Sequence, residues 1–551
     1  MVVGHRLRSV CRHGNEVCHR HDGARILDAV DTTNGEFFEV VVVGGGAAGL
    51  SGALVLARSR RSVLLVDAGD PRNAPAAHAH NYLTRDGSPP GEIYDAGRDE
   101  VTSYGGRVER GRVSSISRDD RGFTISVEGR TVRARRVLVA TGLRDELPDV
   151  PGLAQRWGRD VLHCPYCHGW EVRDQRIGVL ATGPMAVHQA LLFRQLSEHV
   201  TLLQHTAPTF DDEQREELDA VGITVVEGRV SRIDTDNDRL TGVVVDGRAI
   251  ALDALVVGPR AAPRAELLEP LGVLPEEFVV RGQVLGARIV ADATGATAVP
   301  GLWVAGNLGD PQAQVVTAAA QGVQAGAAIN ADLVAEDSGR AVAELRFERV
   351  HGEHAWDERY RSHERTWSGR PNSTLVSEVV GLPPGRALDA GAGEGADACW
   401  LAERGWQVTG VELSTVALGR AAEFATAAGI EVDWLHADLT REPAPGRFDL
   451  VTAHYVHTAR DRQPRLFANL AAAVAPGGTL LIVGHDPSDA HTTMPRPHLD
   501  EMGWTAQEAA ASLGEGWIVE VAEARPRQAT DPHGNKVAIR DAVMRARRRA
   551  D

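Results

Sequence analysis

Three times along this chain an apolar strand runs into a glycine turn and then an alanine-rich helix. The stretches are "FEVVVVGGGAAGLSGALVLARS" from residue 38, "RIGVLATGPMAVHQALLFRQL" from residue 176 and "GRALDAGAGEGADACWLAERG" from residue 385. A strand with no polar alternation is buried on both faces, and a helix that follows it through so short a turn folds back over a parallel sheet. The expected class is therefore α/β, with three Rossmann-like domains of nucleotide-binding type. With 551 residues the chain is longer than one hydrophobic core normally serves, which agrees with several domains.

Composition narrows the function classes. Hydrophobic residues make up 43% and charged residues 24%, a globular and soluble balance. No apolar run reaches the roughly 18 to 20 residues of a membrane span, and the start lacks the apolar core of a secretory signal, so the expected location is the cytoplasm. A formal net charge of −16 repels phosphate backbones and argues against nucleic acid as partner. Lys536 is the only lysine, a bias attributed to genome composition. The five cysteines, Cys11, Cys18, Cys164, Cys167 and Cys399, are too few for a disulfide framework. Residues 1–36 show no sustained periodicity and are expected to be a disordered leader or an over-called translation start; Cys11, Cys18, His19 and His21 match no zinc spacing.

In the first unit Gly44, Gly46 and Gly49 form G-x-G-x-x-G directly after the valine run. The first glycine permits the tight turn, the second lets the backbone approach a pyrophosphate, and the third lets the helix pack closely. The next strand, "SVLLVDAGD", ends in Asp67, where a carboxylate can bind ribose hydroxyls. Two later segments belong with it: "RRVLVATGLRDELPDVPG", with Thr141 and Gly142 at a strand end, and "VPGLWVAGNLGDPQAQVVTAAAQG", with a turn at Gly306 and Asn307.

Cys164 and Cys167 stand in "HCPYCHGWE", between the first two glycine units. The C-x-x-C spacing serves thiol redox chemistry and zinc binding alike, and such thiols can also be purely structural. Zinc needs two more ligands; His163 and His168 adjoin the pair, but adjacent side chains rarely close a tetrahedral site, and no metal is expected.

The order of these motifs resembles the low-molecular-weight thioredoxin reductase family of two-domain flavoproteins, over residues 38–335. The resemblance implies FAD on the first domain and a flavoprotein homodimer. Gly44, Gly46, Gly49 and Asp67 would hold its ADP part, Asn307 the ribityl chain, and Gln314 and Val315 would approach the isoalloxazine ring. The family usually has Asp at the position of Asn307; Asn still accepts a hydrogen bond and also donates one. The pair Cys164 and Cys167 would be the redox disulfide, with Cys167 facing the flavin as the charge-transfer thiolate and Cys164 exchanging with substrate. A free thiol with a pKa near 8.5 is only about 3% thiolate at pH 7, so exchange benefits from a base or positive charge, which His168 would supply. Thioredoxin reductases usually carry an acid there. The "CHG" variant is more similar to the branch that includes the dithiol oxidases of gliotoxin and holomycin, which moves the expected partner from a thioredoxin-like protein to a small thiol or disulfide.

The second unit is an eroded nicotinamide site. Its fingerprint positions are Ala181, Gly183 and Ala186, and the strand that should lead to a 2′-phosphate arginine continues with Gln204, His205 and Thr206. Charge-assisted bonds are worth roughly 1.5 to 3 kcal/mol each, so NADPH specificity is not expected unless Arg194 or another distant arginine substitutes. NADH, weak use of either nicotinamide, or a vestigial site in an enzyme that passes electrons to oxygen remain.

In the third unit Asp389, Gly391, Gly393 and Gly395 follow a strand, and the next strand ends at Glu412. Farther on come "WLHADL" with Asp438, "RFDLVTAHYVHT", and "AAVAPGGTLLIVG" with a Pro-Gly-Gly turn. This order resembles class I S-adenosylmethionine-dependent methyltransferases, and "ERTWSGRPNSTLV" and "DACWLAERGW" look most like the tellurite and thiopurine relatives, which act on soft nucleophiles. The resemblance implies that the glycine loop holds the methionine part, that Glu412 takes both ribose hydroxyls, and that Asp438 lies beside the adenine edge. It makes Trp367 and Asn372 candidate covering residues. His454, Tyr455 and His457 line the acceptor pocket or belong to the core; Cys399 is expected to be a small buried residue.

The expected domains are 37–148 with 270–335 for FAD, 149–269 for the nicotinamide-type domain, a linker at 336–350, and a methyltransferase over 351–551. The expected function is a fusion of an FAD-dependent disulfide/dithiol oxidoreductase and a methyltransferase, both handling small thiols. The alternatives are an oxygen-dependent dithiol oxidase with a vestigial NAD(P) site, and a flavin redox sensor that regulates the methyltransferase.

Overall fold

The computed structural model describes residues 36–183, 185–494, 502–531 and 533–550. The expected leader, with Cys11, Cys18, His19 and His21, lies outside the described residues except for Glu36, which opens the strand Glu36–Val43. The chain divides into two compact units at Asp337/Ser338. Among the described residues no helix is long and apolar enough to cross a membrane.

In the first unit, Val40 to Val43 are buried, as an unbroken valine run requires, and their strand pairs in parallel with Val63–Asp67 and Arg130–Val139. Arg107–Arg110 and Leu302–Val304 add parallel strands, and Gly122–Val127 and Val113–Asp119 an antiparallel extension, making a seven-stranded sheet. The second glycine unit builds a five-stranded parallel sheet with Ile177–Leu180 at its centre, beside a three-stranded antiparallel sheet over residues 230–251.

The chain crosses between these two domains twice, and the crossings pair with each other: Leu143–Glu146 runs antiparallel to Arg260–Pro263. Thr141 Oγ1 donates to the Arg264 carbonyl at 2.8 Å, so this side chain pins the crossing. The return precedes the expected residue 270, because Ala265 and Leu268 are already buried in the same core as Val41 and Ile125.

The expected linker at 336–350 is helical, forming the second half of Val315–His351. Its charges read as a solvated linker but have arginine partners: Arg61 donates to Asp337, Arg136 to Glu336, and Arg462 to Glu344 and Glu348. Alanine, glutamate and arginine are strong helix formers, and Ala325, Ile329 and Leu333 bury one stripe at four-residue spacing.

The second unit holds a seven-stranded sheet in the order Asp433–His436, Gln407–Glu412, Arg386–Ala390, Phe448–His454, Val474–His485, Lys536–Arg548, Trp517–Thr530. The first five are parallel and the last two antiparallel. The expected Pro-Gly-Gly turn lies inside the strand Val474–His485, with Gly477 at φ +79°.

Candidate active sites

A cleft of about 1700 Å³ in the first unit is lined by Gly44, Gly46, Asp67, Thr141, Gly142, Gly306, Asn307, Gln314 and Val315 together with Cys164, Cys167, His168 and Gly183. It exceeds the roughly 300–1,000 Å³ of a drug-sized ligand pocket and has room for a dinucleotide with a substrate. Gly49 is fixed by packing, since a side chain there would meet the Gly44 carbonyl at 1.8 Å. Gly46 and Gly142 are the opposite case: nothing stands within 4 Å of where their Cβ would be. Gly46 opens the helix Ala47–Arg58 with no side-chain cap, leaving the first-turn N–H groups to an anion. This cradle fits the pyrophosphate of FAD. Asp67 spends Oδ1 on the N–H groups of Gly45 (3.2 Å) and Gly69 (3.0 Å), while Oδ2 lies 3.5 Å from Arg98; Oδ2 is thus the oxygen left for ribose.

Asn307 braces its own loop. Its Nδ2 donates to the carbonyls of Asp310 (3.1 Å) and Ala313 (2.9 Å), so the amide holds the 310–313 loop. An aspartate could not donate there, which gives the Asp-to-Asn departure a physical reason. Only Oδ1 remains for a ribityl chain. Asn307→Asp is expected to set a carboxylate against these carbonyls and to weaken flavin retention by roughly 1–3 kcal/mol. Flavin dissociation followed by fluorescence checks this, and unchanged or tighter binding contradicts it.

Cys164 and Cys167 form a disulfide, which withholds both sulfurs from a metal. Cys164 caps the short helix Pro165–His168, with its Sγ accepting the Cys167 N–H at 3.2 Å. On reduction that N–H favours a thiolate at Cys164. His168 is half-buried, and burial lowers its pKa; Glu171 opposes this and His80 adds to it. Its Nε2 is buried with no hydrogen-bond partner. Burial thus favours the neutral imidazole over the positive charge that the sequence also allowed. His163 is held neutral at about 4 by burial, with Arg72 adding and Asp145 opposing, and it stacks on Trp157 at 5.7 Å.

The eroded fingerprint positions of the nicotinamide-type domain differ in their surroundings. Ala181 and Ala186 are buried in the core. Gly183 faces open space in the cleft. His205, at φ +47°, accepts the Val230 N–H on Nδ1, so it holds a turn. Arg194 does not substitute for the missing arginine: its Nε is committed to the Val221 carbonyl at 2.7 Å. The cation acting on His205 is Arg229, which the sequence pattern did not single out.

In the second unit the glycine loop is pressed on from above. A side chain at Gly391 would meet Val456 Cγ2 at 2.7 Å, and one at Gly393 the Tyr360 hydroxyl at 3.2 Å. Glu412 is buried and already occupied: Oε2 accepts Gly393 N–H, and Oε1 accepts Leu413 and Ser414 N–H, each at 2.9 Å. Ribose hydroxyls would share these oxygens, whose remaining lone pairs are free to accept. Asp438 likewise holds its own turn, accepting from Thr440 N and Oγ1 at 2.8 and 2.6 Å.

The covering segment is tied down by a residue that sequence reasoning missed. Glu394 accepts the N–H groups of Thr366 and Trp367 at 3.1 and 3.0 Å and pairs with Arg420. Trp367 Nε1 donates to Tyr360 at 3.0 Å, and Asn372 N–H donates to Asp397 at 2.6 Å. The acid inside "GAGEG" was the available signal. Asp389, Asp397 and His454 converge, with ligand atoms within 4.8 Å of one another. Asp389 Oδ2 and His454 Nε2 are buried without partners. Burial, then Asp397 and Glu412, raise the Asp389 pKa, so a cationic group is favoured beside it. The α-ammonium of S-adenosylmethionine fits that place. Cys399 is buried and its thiol is pushed up to about 11, a core residue and no nucleophile.

Two family profiles match the chain: a pyridine nucleotide-disulphide oxidoreductase over residues 38–322 and a methyltransferase domain over residues 387–478. The chain is similar to thioredoxin reductase sirT of Leptosphaeria maculans, 31% identical over 319 residues that cover 54% of this chain and 95% of that protein. Thioredoxin reductase tcpT of Claviceps purpurea is 37% identical over 177 residues, 30% of this chain and 54% of that protein. Among solved structures, HlmI is 46% identical with a TM-score of 0.53, covering 57% of this chain and 99% of that one. An oxidoreductase from Agrobacterium tumefaciens is 36% identical with a TM-score of 0.51, covering 54% and 98%.

Proposed function

Because this chain belongs to the pyridine nucleotide-disulphide oxidoreductase family and also carries a methyltransferase domain, we propose that it exchanges small dithiols and disulfides at Cys164–Cys167 and S-methylates small thiols. The observation that carries the redox half is the shared cleft: disulfide, dinucleotide cradle and neutral His168 line one cavity. In the dithiol direction, His168 takes a proton from the substrate, whose thiolate attacks Cys164 Sγ and displaces Cys167 as a thiolate. The second substrate sulfur then attacks the first and passes its proton to the departing Cys164, which closes the substrate disulfide and releases Cys164 as a thiol. Two electrons remain on the cysteines, and FAD, when bound, supplies the acceptor for them. Asp67, Gly46 and Asn307 bind and orient.

Oxygen as the final acceptor is favoured over NADP+ by the lost fingerprint glycine at Ala181 and by the commitment of Arg194 to Val221. The test is an anaerobic titration of the flavin spectrum. A small dithiol is expected to bleach the flavin, and NADPH to have no more than about a tenfold advantage over NADH. Rapid bleaching by micromolar NADPH with an inert dithiol overturns the reading.

A further inference from the structure

Beside the glycine loop of the second unit runs a wall of rings to which the proposed function assigns no role. It begins at Tyr360, whose hydroxyl reaches the space above Gly393. Trp356 follows, 6.0 Å from Tyr360 between ring centres, and stacks on His457 at 6.0 Å and 14°. His485 stands 5.6 Å from His457 and 4.7 Å from Tyr455. Tyr455 sits at φ +54°, a conformation that costs a non-glycine residue about 1–3 kcal/mol, and burial, with the Asp541 carboxylate nearby, pushes its hydroxyl up to about 12. Val456, the chain neighbour of His457, reaches the space above Gly391 in the loop that would carry the methyl donor.

We infer that this wall is the acceptor site of the methyltransferase, and that His457 takes the proton of a thiol acceptor. The inference rests on the proposed thiol methylation and names the residue that makes it possible. Aromatic and imidazole rings make favourable contacts with polarizable sulfur. An imidazole near 6.5 removes a proton from a thiol near 8.5 at a cost of about two pK units, whereas an aliphatic hydroxyl is far too weak an acid. In the step, His457 accepts the S–H proton while the acceptor's sulfur pair forms a bond to the methyl carbon. The methyl–sulfonium bond breaks, its electron pair stays on the departing sulfur, and the positive charge passes from sulfonium to imidazolium. Among the described residues, the titratable and charged groups around His457 include His351 at 6.1 Å, His485, and Arg359 on the Trp356 ring; behind His485 lie Tyr455 and Asp541, the latter paired with Arg527.

The experiment compares the full chain with His457→Gln and His533→Gln across pH, using a small thiol and S-adenosylmethionine. His457→Gln is expected to lose about a hundred-fold in kcat at pH 7 and to regain about tenfold per pH unit up to the pKa of the thiol. The parent and His533→Gln, an exposed histidine outside the wall, level off above the imidazole pKa. Trp356 stacks on His457, so tryptophan fluorescence of the parent should titrate with an imidazole pKa that His457→Gln lacks, a readout independent of turnover. Calorimetric binding of S-adenosylmethionine confirms that the variant is folded. A folded His457→Gln protein with the parent's pH profile overturns the inference alone. A parent that methylates no thiol at any pH overturns the proposed function, and the inference with it.

Discussion

The Cys164→Ser protein is expected to keep its flavin, to methylate a supplied thiol at the parent rate, and to lose thiol–disulfide turnover by at least about a thousand-fold. A serine hydroxyl neither forms the Cys164–Cys167 bond nor accepts a thiolate's attack, so no residual route to the cleft remains. The glycine cradle around Gly44, Gly46 and Gly49 is untouched by the change, which is why flavin binding should persist. The assay separates two explanations. If the flavin half were a sensor without turnover of its own, the variant would change the kinetics of methylation instead, and the thiol assay would show no activity to lose.

Glu412→Ala should abolish S-adenosylmethionine binding at working concentrations, with a loss of roughly a hundred-fold or more. Two effects add. The ribose loses a charged acceptor, worth roughly 1.5 to 3 kcal/mol per hydrogen bond. The N–H groups of Gly393, Leu413 and Ser414 lose theirs as well, so the glycine loop loses its anchor to the neighbouring strand. Calorimetry with S-adenosylmethionine checks the first effect, and the flavin spectrum of the same sample reports whether the oxidoreductase half is intact. An affinity within a few-fold of the parent would show that Glu412 serves the loop only.

The features legible in the sequence are those that local chemistry dictates. Val40 to Val43 and the glycines after them specify a buried parallel strand and a tight turn within a dozen residues, and the second and third units repeat that logic. Cys164 and Cys167 were legible as a pair by their spacing, which their disulfide matches, and as a redox candidate by their place between two fingerprints. The features that were not legible depend on distant partners. Nothing near residue 337 shows that Arg61 and Arg135 will pair with Asp337 and so make a helix out of an apparent linker. Asn307 looked like a weakened ligand because the carbonyls it holds become neighbours only when the 310–313 loop turns back. His168 appeared as either base or cation until burial made it neutral. Glu394 was passed over because its partners, Thr366 and Trp367, come from the covering segment.

The central claim is that one chain handles one class of molecule, the small thiol, in two ways. The most direct test gives a single small dithiol to the full chain, loaded with FAD and supplied with S-adenosylmethionine in air, and resolves the products by mass. The account predicts both the cyclic disulfide and S-methyl thioethers, with the disulfide alone lost in Cys164→Ser and the thioethers alone lost in Glu412→Ala. Methylation of amines or hydroxyls but not of the dithiol, together with no disulfide above the buffer rate, would contradict it.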